Sequence, residues 1–147
     1  MISLKSKITQ AVLGHFFLHS GDALYVNEMA RLFSADSGNL VRKLNELEKE
    51  GILRSEFNGN QRYYSLNPSY PLLEEYKRIV LKTTGFEHSL KQALQEVPGI
   101  EKAVLFGSYA SNRMDAASDI DLLVVGSHDT VDLQKRISRL QKTTSRE

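Results

Sequence analysis

The chain has 147 residues, 41% hydrophobic and 25% charged and without cysteine, which suits one ordinary globular domain or two small ones and excludes disulfides and thiolate metal sites. Net charge is +1, from eight Lys/Arg against seven Asp/Glu in residues 1–68 and eleven of each in 69–147, so only local placement of charge can argue for nucleic acid. No apolar run approaches the ~20 residues of a bilayer span and "MISLKSKITQ" lacks a signal-peptide core, so the expectation is a soluble, cytoplasmic chain with no membrane partner.

In chain order, "SKITQAVLGHFFLH" spaces Ile8, Val12, Leu13, Phe16 and Phe17 by threes and fours, the buried stripe of an amphipathic helix ended by Gly21-Asp22. "YVNEMARLF" predicts a second short helix with Val26, Met29, Ala30 and Phe33 inward, and "SAD" breaks it. In "SGNLVRKLNELEKEGIL", Leu40, Leu44 and Leu47 form the inner seam of a third helix, Ser37 or Asp36 can cap its start, and Gly51 can supply its left-handed stop. Three helices with the last two close-coupled make a helix-turn-helix. "ILRSEFNGNQRYYSLNP" then reads as two extended runs around Asn58-Gly59-Asn60, a hairpin or wing on which Tyr63 and Tyr64 alternate between outside and inside.

The case for double-stranded DNA lies in what the third helix leaves outside. Its first two turns expose Ser37, Gly38, Asn39, Arg42 and Lys43, small residues for close approach together with groups that reach bases and phosphates. The wing tip adds Asn58, Asn60, Gln61 and Arg62, while Glu46, Glu48 and Glu50 restrict entry into a groove to the N-terminal end. Through "LNELEKEGIL" and "GNQRYYSLNP", residues 8–68 resemble the winged helix-turn-helix of ArsR-like transcriptional regulators. That resemblance implies DNA binding, usually by a homodimer.

After Pro68, "PLLEEYKRIVLKTTG" predicts a helix opened by Pro71 with Leu72, Leu73, Tyr76, Ile79, Val80 and Thr83 on a wide apolar face, able to pack on the first helix or on a second subunit. "FEHSLKQALQEV" gives another, with Phe86, Leu90, Leu94 and Val97 inward, broken by Pro98-Gly99. "IEKAVLFGS" is expected to be a buried strand ending at Gly107. Gly107 permits a sharp turn, and Ser108 follows where backbone N–H groups and a hydroxyl can hold a phosphate. Asp119 and Asp121 flank Ile120, so on a strand both carboxylates share one face, and two such charges are stable together only beside a divalent cation such as Mg²⁺ bridging to nucleotide phosphates.

The whole run "GSYASNRMDAASDID" resembles the GS-x10-DxD motif of minimal nucleotidyltransferases of the DNA polymerase β-like superfamily, over residues 85 to about 142. The resemblance implies NMP transfer from an NTP, ATP foremost. Gly107 and Ser108 would hold the β- and γ-phosphates, and Asp119 and Asp121, the catalytic carboxylates, would bind two Mg²⁺ ions. Some relatives adenylylate a tyrosine on a HEPN-type toxin protein, which makes such a toxin a candidate partner. The superfamily's third carboxylate comes from a later strand, and after "DLLVVG" only Asp129, Asp132 and Glu147 remain, with Asp132 read as a first-turn acid of a helix "VDLQKRISRLQK". Whether the chain is a fragment or the domain is degenerate, nucleotide binding is expected ahead of turnover, with an active transferase as the alternative. Arg113 in the intervening loop reads as a surface arginine, and His128 as a loop histidine. His15 and His19 are four residues apart without an evident third ligand, so zinc is not expected.

The expected fold class is thus α+β: a winged helix-turn-helix over 1–68, a connecting or dimerisation helix over 69–84, and a partial nucleotidyltransferase-like α/β domain over 85–147.

Overall fold

The computed structural model describes residues 1–107, 109 and 120–144, with side chains as far as 141. The chain forms two compact units, Met1–Gly85 and Phe86–Glu147. Among the described residues no helix is long and apolar enough to cross a membrane.

The first unit begins with α1 (Lys7–Leu18), capped by Ser6, whose Oγ accepts from the Thr9 amide at 3.3 Å. Of the predicted stripe, Val12, Leu13, Phe16 and Phe17 are buried and Ile8 is half-buried. After it come β1 (Leu24–Tyr25), α2 (Val26–Phe33) and α3 (Ser37–Glu50). Of the two candidate caps for α3 it is Asp36 that serves, its Oδ2 accepting from the Asn39 amide at 3.0 Å. Gly51 ends the helix in the left-handed region at φ 98°, where a Cβ is disfavoured. Leu40, Leu44 and Leu47 are buried as their spacing predicts.

The wing is β2 (Leu53–Asn58) against β3 (Gln61–Leu66), paired from Leu53↔Leu66 to Asn58↔Gln61. Tyr64 is buried and Tyr63 half-buried, as their alternation predicts. The sequence reading has no counterpart for β1, which pairs Leu24 with Tyr64 and gives the sheet order β1-β3-β2. Two residues are too few to show a strand's alternation.

α4 (Leu73–Thr83) packs on α1, burying Tyr76, Val80 and Leu81. The wide apolar face expected of it narrows accordingly: Leu72, Ile79 and Thr83 are exposed, and Leu81 takes a place inside. One helix covers another through only about a third of its circumference, and α4 turns its Tyr76-Val80-Leu81 side to the core.

The second unit consists of α5 (Phe86–Gln95), β4 (Ile100–Phe106), β5 (Asp121–Gly126) and α6 (Thr130–Thr144). α5 and α6 pack together, and Phe86, Leu90, Val97 and Leu133 are buried. Leu94, expected inside, is half-buried. β4 and β5 form an antiparallel ladder running from Phe106↔Asp121 to Ile100↔Gly126. The expectation of a buried β4 fails. Phe106, Leu123 and Val125 are 48%, 54% and 45% exposed, because among the described residues the sheet has two strands and one of its faces carries no covering layer. Asp129 caps α6, its Oδ1 accepting from the Val131 amide at 2.9 Å, and Asp132 in the first turn pairs with Arg136 at 3.2 Å. Both acids are thereby engaged in holding the helix, as the reading of Asp132 anticipates.

Candidate functional site

The candidate residues read from the sequence fall in two places, one in each unit. In the second unit, the β4–β5 register sets Phe106 opposite Asp121, so the chain leaving β4 at Gly107 turns directly beside the carboxylate that opens β5. The ladder thereby brings together residues fourteen apart in sequence. Gly107 has φ 72°, and a Cβ built on it would overlap Oδ2 of Asp121. Only glycine lets the backbone pass this close to the carboxylate in that conformation. Asp121 is half-buried, and Ile120 precedes the strand without belonging to it. Ser108, Asp119 and Arg113 lie outside the described residues.

Sequence reasoning missed Tyr109. Its ring meets Phe86 at the start of α5 edge to face, with centroids 5.6 Å apart. Burial above all, and then the Glu87 carboxylate, holds its phenol well above the usual range. Its enclosed hydroxyl meets no group at full hydrogen-bond geometry among the described residues, although Glu87 is near enough to act on it electrostatically. Tyr109 therefore anchors the turn that follows β4 to α5. The available signal was an aromatic residue directly after the Gly-Ser pair.

Gly107 together with Asp121 offers a backbone cradle and one hard oxygen ligand, a donor set that fits Mg²⁺ and phosphate oxygens. Among the described residues no three His, Cys, Asp or Glu side chains converge as a metal site. His15 has a different partner: Nε2 lies 2.8 Å from Asp22 Oδ2, with the His19 ring stacked 4.6 Å away, which ties the end of α1 to the segment before β1. His128 Nδ1 lies 3.2 Å from the Gly126 carbonyl oxygen.

In the first unit, α3 presents Ser37, Gly38, Asn39 and Arg42 as exposed residues, and Lys43 as half-buried. Arg42 Nη2 donates to Asn39 Oδ1 at 2.9 Å, and Lys43 Nζ lies 3.5 Å from Glu46 Oε2. Surface pairs of this kind are worth little and yield readily to a phosphate. The glutamates of the later half each have a cation: Glu46 has Lys43, Glu50 the Met1 ammonium at 3.5 Å, and Glu48 has Arg62. For Glu48 and Glu50 this weakens repulsion of a polyanion, while Glu46 is bared whenever Lys43 turns to a phosphate.

Arg62 is the residue whose setting differs most from its sequence reading. Its Nη2 donates to Glu48 Oε2 and its Nε to Ser55 Oγ at 2.9 Å, while Ser55 Oγ donates to Glu48 Oε1 at 2.6 Å. The guanidinium also lies 5.1 Å over Tyr64, whose hydroxyl donates to Asn45 Oδ1 at 3.2 Å. Burial raises the Tyr64 phenol's pKa; Arg62 opposes the rise and Glu48 adds to it. Asn58, Asn60 and Gln61 are exposed at the wing tip.

Residues 88–146 match the family described as "Polymerase beta, Nucleotidyltransferase". That similarity falls within the second unit and follows the helices and wing of the first. Among solved structures, MepR, a transcription regulator of the Staphylococcus aureus multidrug efflux pump MepA, aligns at 17% identity with a TM-score of 0.47, covering 92% of this chain and 80% of that one. No curated protein matches the chain.

Proposed function

We propose that this protein is a DNA-binding transcriptional regulator, working as a homodimer, whose nucleotidyltransferase-like domain binds a Mg²⁺-nucleotide, with ATP the first candidate, and turns it over slowly or not at all. The observation that carries the nucleotide half is the meeting of Gly107 and Asp121 at one end of the β4–β5 ladder. Within the GS-x10-DxD pattern, that turn is where Ser108 would meet the phosphates and where Asp119 would complete the pair of carboxylates. Bound Mg²⁺ would neutralise the phosphates and the two acids together. What the chain supplies is the cradle and the ligands. Deprotonating an acceptor hydroxyl needs a positioned base, and of the described acids after β5, Asp129 caps α6 and Asp132 pairs with Arg136.

The DNA half rests on α3, whose exposed N-terminal turns lie beside a wing of fixed register. A nucleotide-binding domain in the same chain makes nucleotide level the natural input and operator occupancy the output.

Calorimetric titration with ATP tests the nucleotide half. Binding is expected only with Mg²⁺ present, and Asp121→Asn is expected to weaken it on the order of tenfold or more, because one lost charge leaves the metal undercompensated. Labelled ATP should release little pyrophosphate. Binding that ignores both Mg²⁺ and Asp121 would refute the site, and rapid transfer dependent on Asp121 to the chain or to a partner tyrosine would make the protein an enzyme.

A further inference from the structure

The wing presents two faces, and the register sorts its residues between them. Leu53, Ser55 and Phe57 on β2 stand opposite Leu66, Tyr64 and Arg62 on β3, all on one face, while Arg54, Glu56 and Asn58 take the other. The first face begins in the core: Leu53 and Tyr64 are each 1% exposed. It leaves the core through the contacts with α3, where Asn45 meets Tyr64 and Glu48 meets Ser55 and Arg62. It ends at Phe57, which is 73% exposed. Phe57 is thus an aromatic ring left open at the far end of the surface that continues α3.

A lone exposed phenylalanine needs no explanation. Here its neighbours give it one. Residues 57–61 read Phe-Asn-Gly-Asn-Gln, without a charge. The nearest cation in the hairpin, Arg62, lies 5.9 Å over the Phe57 ring and has its Nε–Nη2 edge occupied by Ser55 and Glu48. An arginine whose Nε and Nη2 already donate to a hydroxyl and a carboxylate has lost that bidentate edge for a phosphate. It is well placed to fix the angle between wing and helix.

We propose that Arg62 is a positioning residue that clasps the wing to α3, and that the wing meets the duplex through an uncharged tip: Phe57 enters the minor groove, flanked by the Asn58, Asn60 and Gln61 amides. The proposal rests on the DNA-binding reading above. The chemistry suits an A·T-rich groove. Adenine N3 and thymine O2 are acceptors for amide N–H groups, the guanine amino group obstructs the groove floor, and apolar side chains are the wedges that enter between base steps there.

Salt dependence separates clasp from contact. Each phosphate neutralised contributes about one unit to the slope of log affinity against log salt, whereas a positioning residue or an apolar wedge contributes none. The experiment measures fluorescence anisotropy of the full chain on a duplex selected from a random pool, across several salt concentrations. Arg62→Ala, Arg62→Lys and Glu48→Ala are each expected to weaken binding about tenfold with the wild-type slope, because lysine keeps the charge but cannot reproduce the fork. Phe57→Ala is expected to weaken binding about fivefold, again with slope unchanged. Replacing A·T pairs under the wing with G·C should weaken the wild type and leave Phe57→Ala indifferent.

Three results would overturn the proposal while leaving DNA binding intact: a slope that falls by about one unit in Arg62→Ala and is restored in Arg62→Lys, a Glu48→Ala variant that binds more tightly because it frees the arginine, or a Phe57→Ala variant that binds as the wild type does. A wild type that binds no duplex would overturn the DNA-binding reading itself, and this proposal with it. Should Arg62→Ala fail to fold, Arg62→Lys and the solvent-exposed Phe57→Ala still decide.

Discussion

Gly107 shows how one residue determines what a site can hold. At φ 72° an alanine is strained by roughly 1–2 kcal/mol, and its methyl would occupy the space of the Asp121 carboxylate. That carboxylate ends a movable side chain, so the conflict resolves by displacing the ligand and leaves the hairpin formed. Gly107→Ala is therefore expected to keep the secondary structure by circular dichroism and to lose Mg²⁺-ATP affinity on the order of tenfold or more by calorimetry. Unchanged affinity would show that Asp121 does not serve the nucleotide. Gly107 and Asp121 were both legible in the sequence, because a glycine at a strand end and an acid at a strand start are local signals. Tyr109 and the Arg62 clasp were not. Each depends on a partner distant in sequence, Phe86 and Glu87 for the tyrosine and Glu48 for the arginine, and no spacing rule connects such pairs.

At the level of elements, periodicity located the helices well and misjudged what covers them. α1, α2 and α3 sit where the apolar spacing puts them, and Gly51 ends α3 as predicted. β1 escaped notice because it exists only through pairing with β3. β4 was read as buried from its composition, yet a strand's burial depends on its neighbours, and the described sheet has two strands. For α4 the apolar residues exceed what α1 can cover. α1 is covered inside this unit, and the apolar surface left for assembly lies on α4. Leu72 and Ile79, seven residues apart, are 43% and 47% exposed after the helix has packed. Such a stripe on the helix that follows the wing suits a two-fold contact. Sedimentation of the chain at micromolar concentration is expected to give a dimer, and Ile79→Asp a monomer of unchanged helicity. A monomeric wild type would remove α4 as an interface.

The molecule as a whole consists of two compact units in one chain, for which DNA binding by the first and nucleotide binding by the second are proposed. The overall balance of charge, 19 basic against 18 acidic residues, gives no sign of a polyanion partner. Arg42 and Lys43 stand near the start of α3, and Glu48 and Glu50 of its later half are paired with other cations. The measurement that tests this most directly is the affinity of wild type, Arg42→Ala and Lys43→Ala for a selected duplex as a function of salt. Each substitution is predicted to weaken binding and to lower the salt slope by about one unit, since each removes one phosphate contact. Binding by both variants at wild-type affinity and slope, or no binding of any duplex by the wild type, would contradict the account.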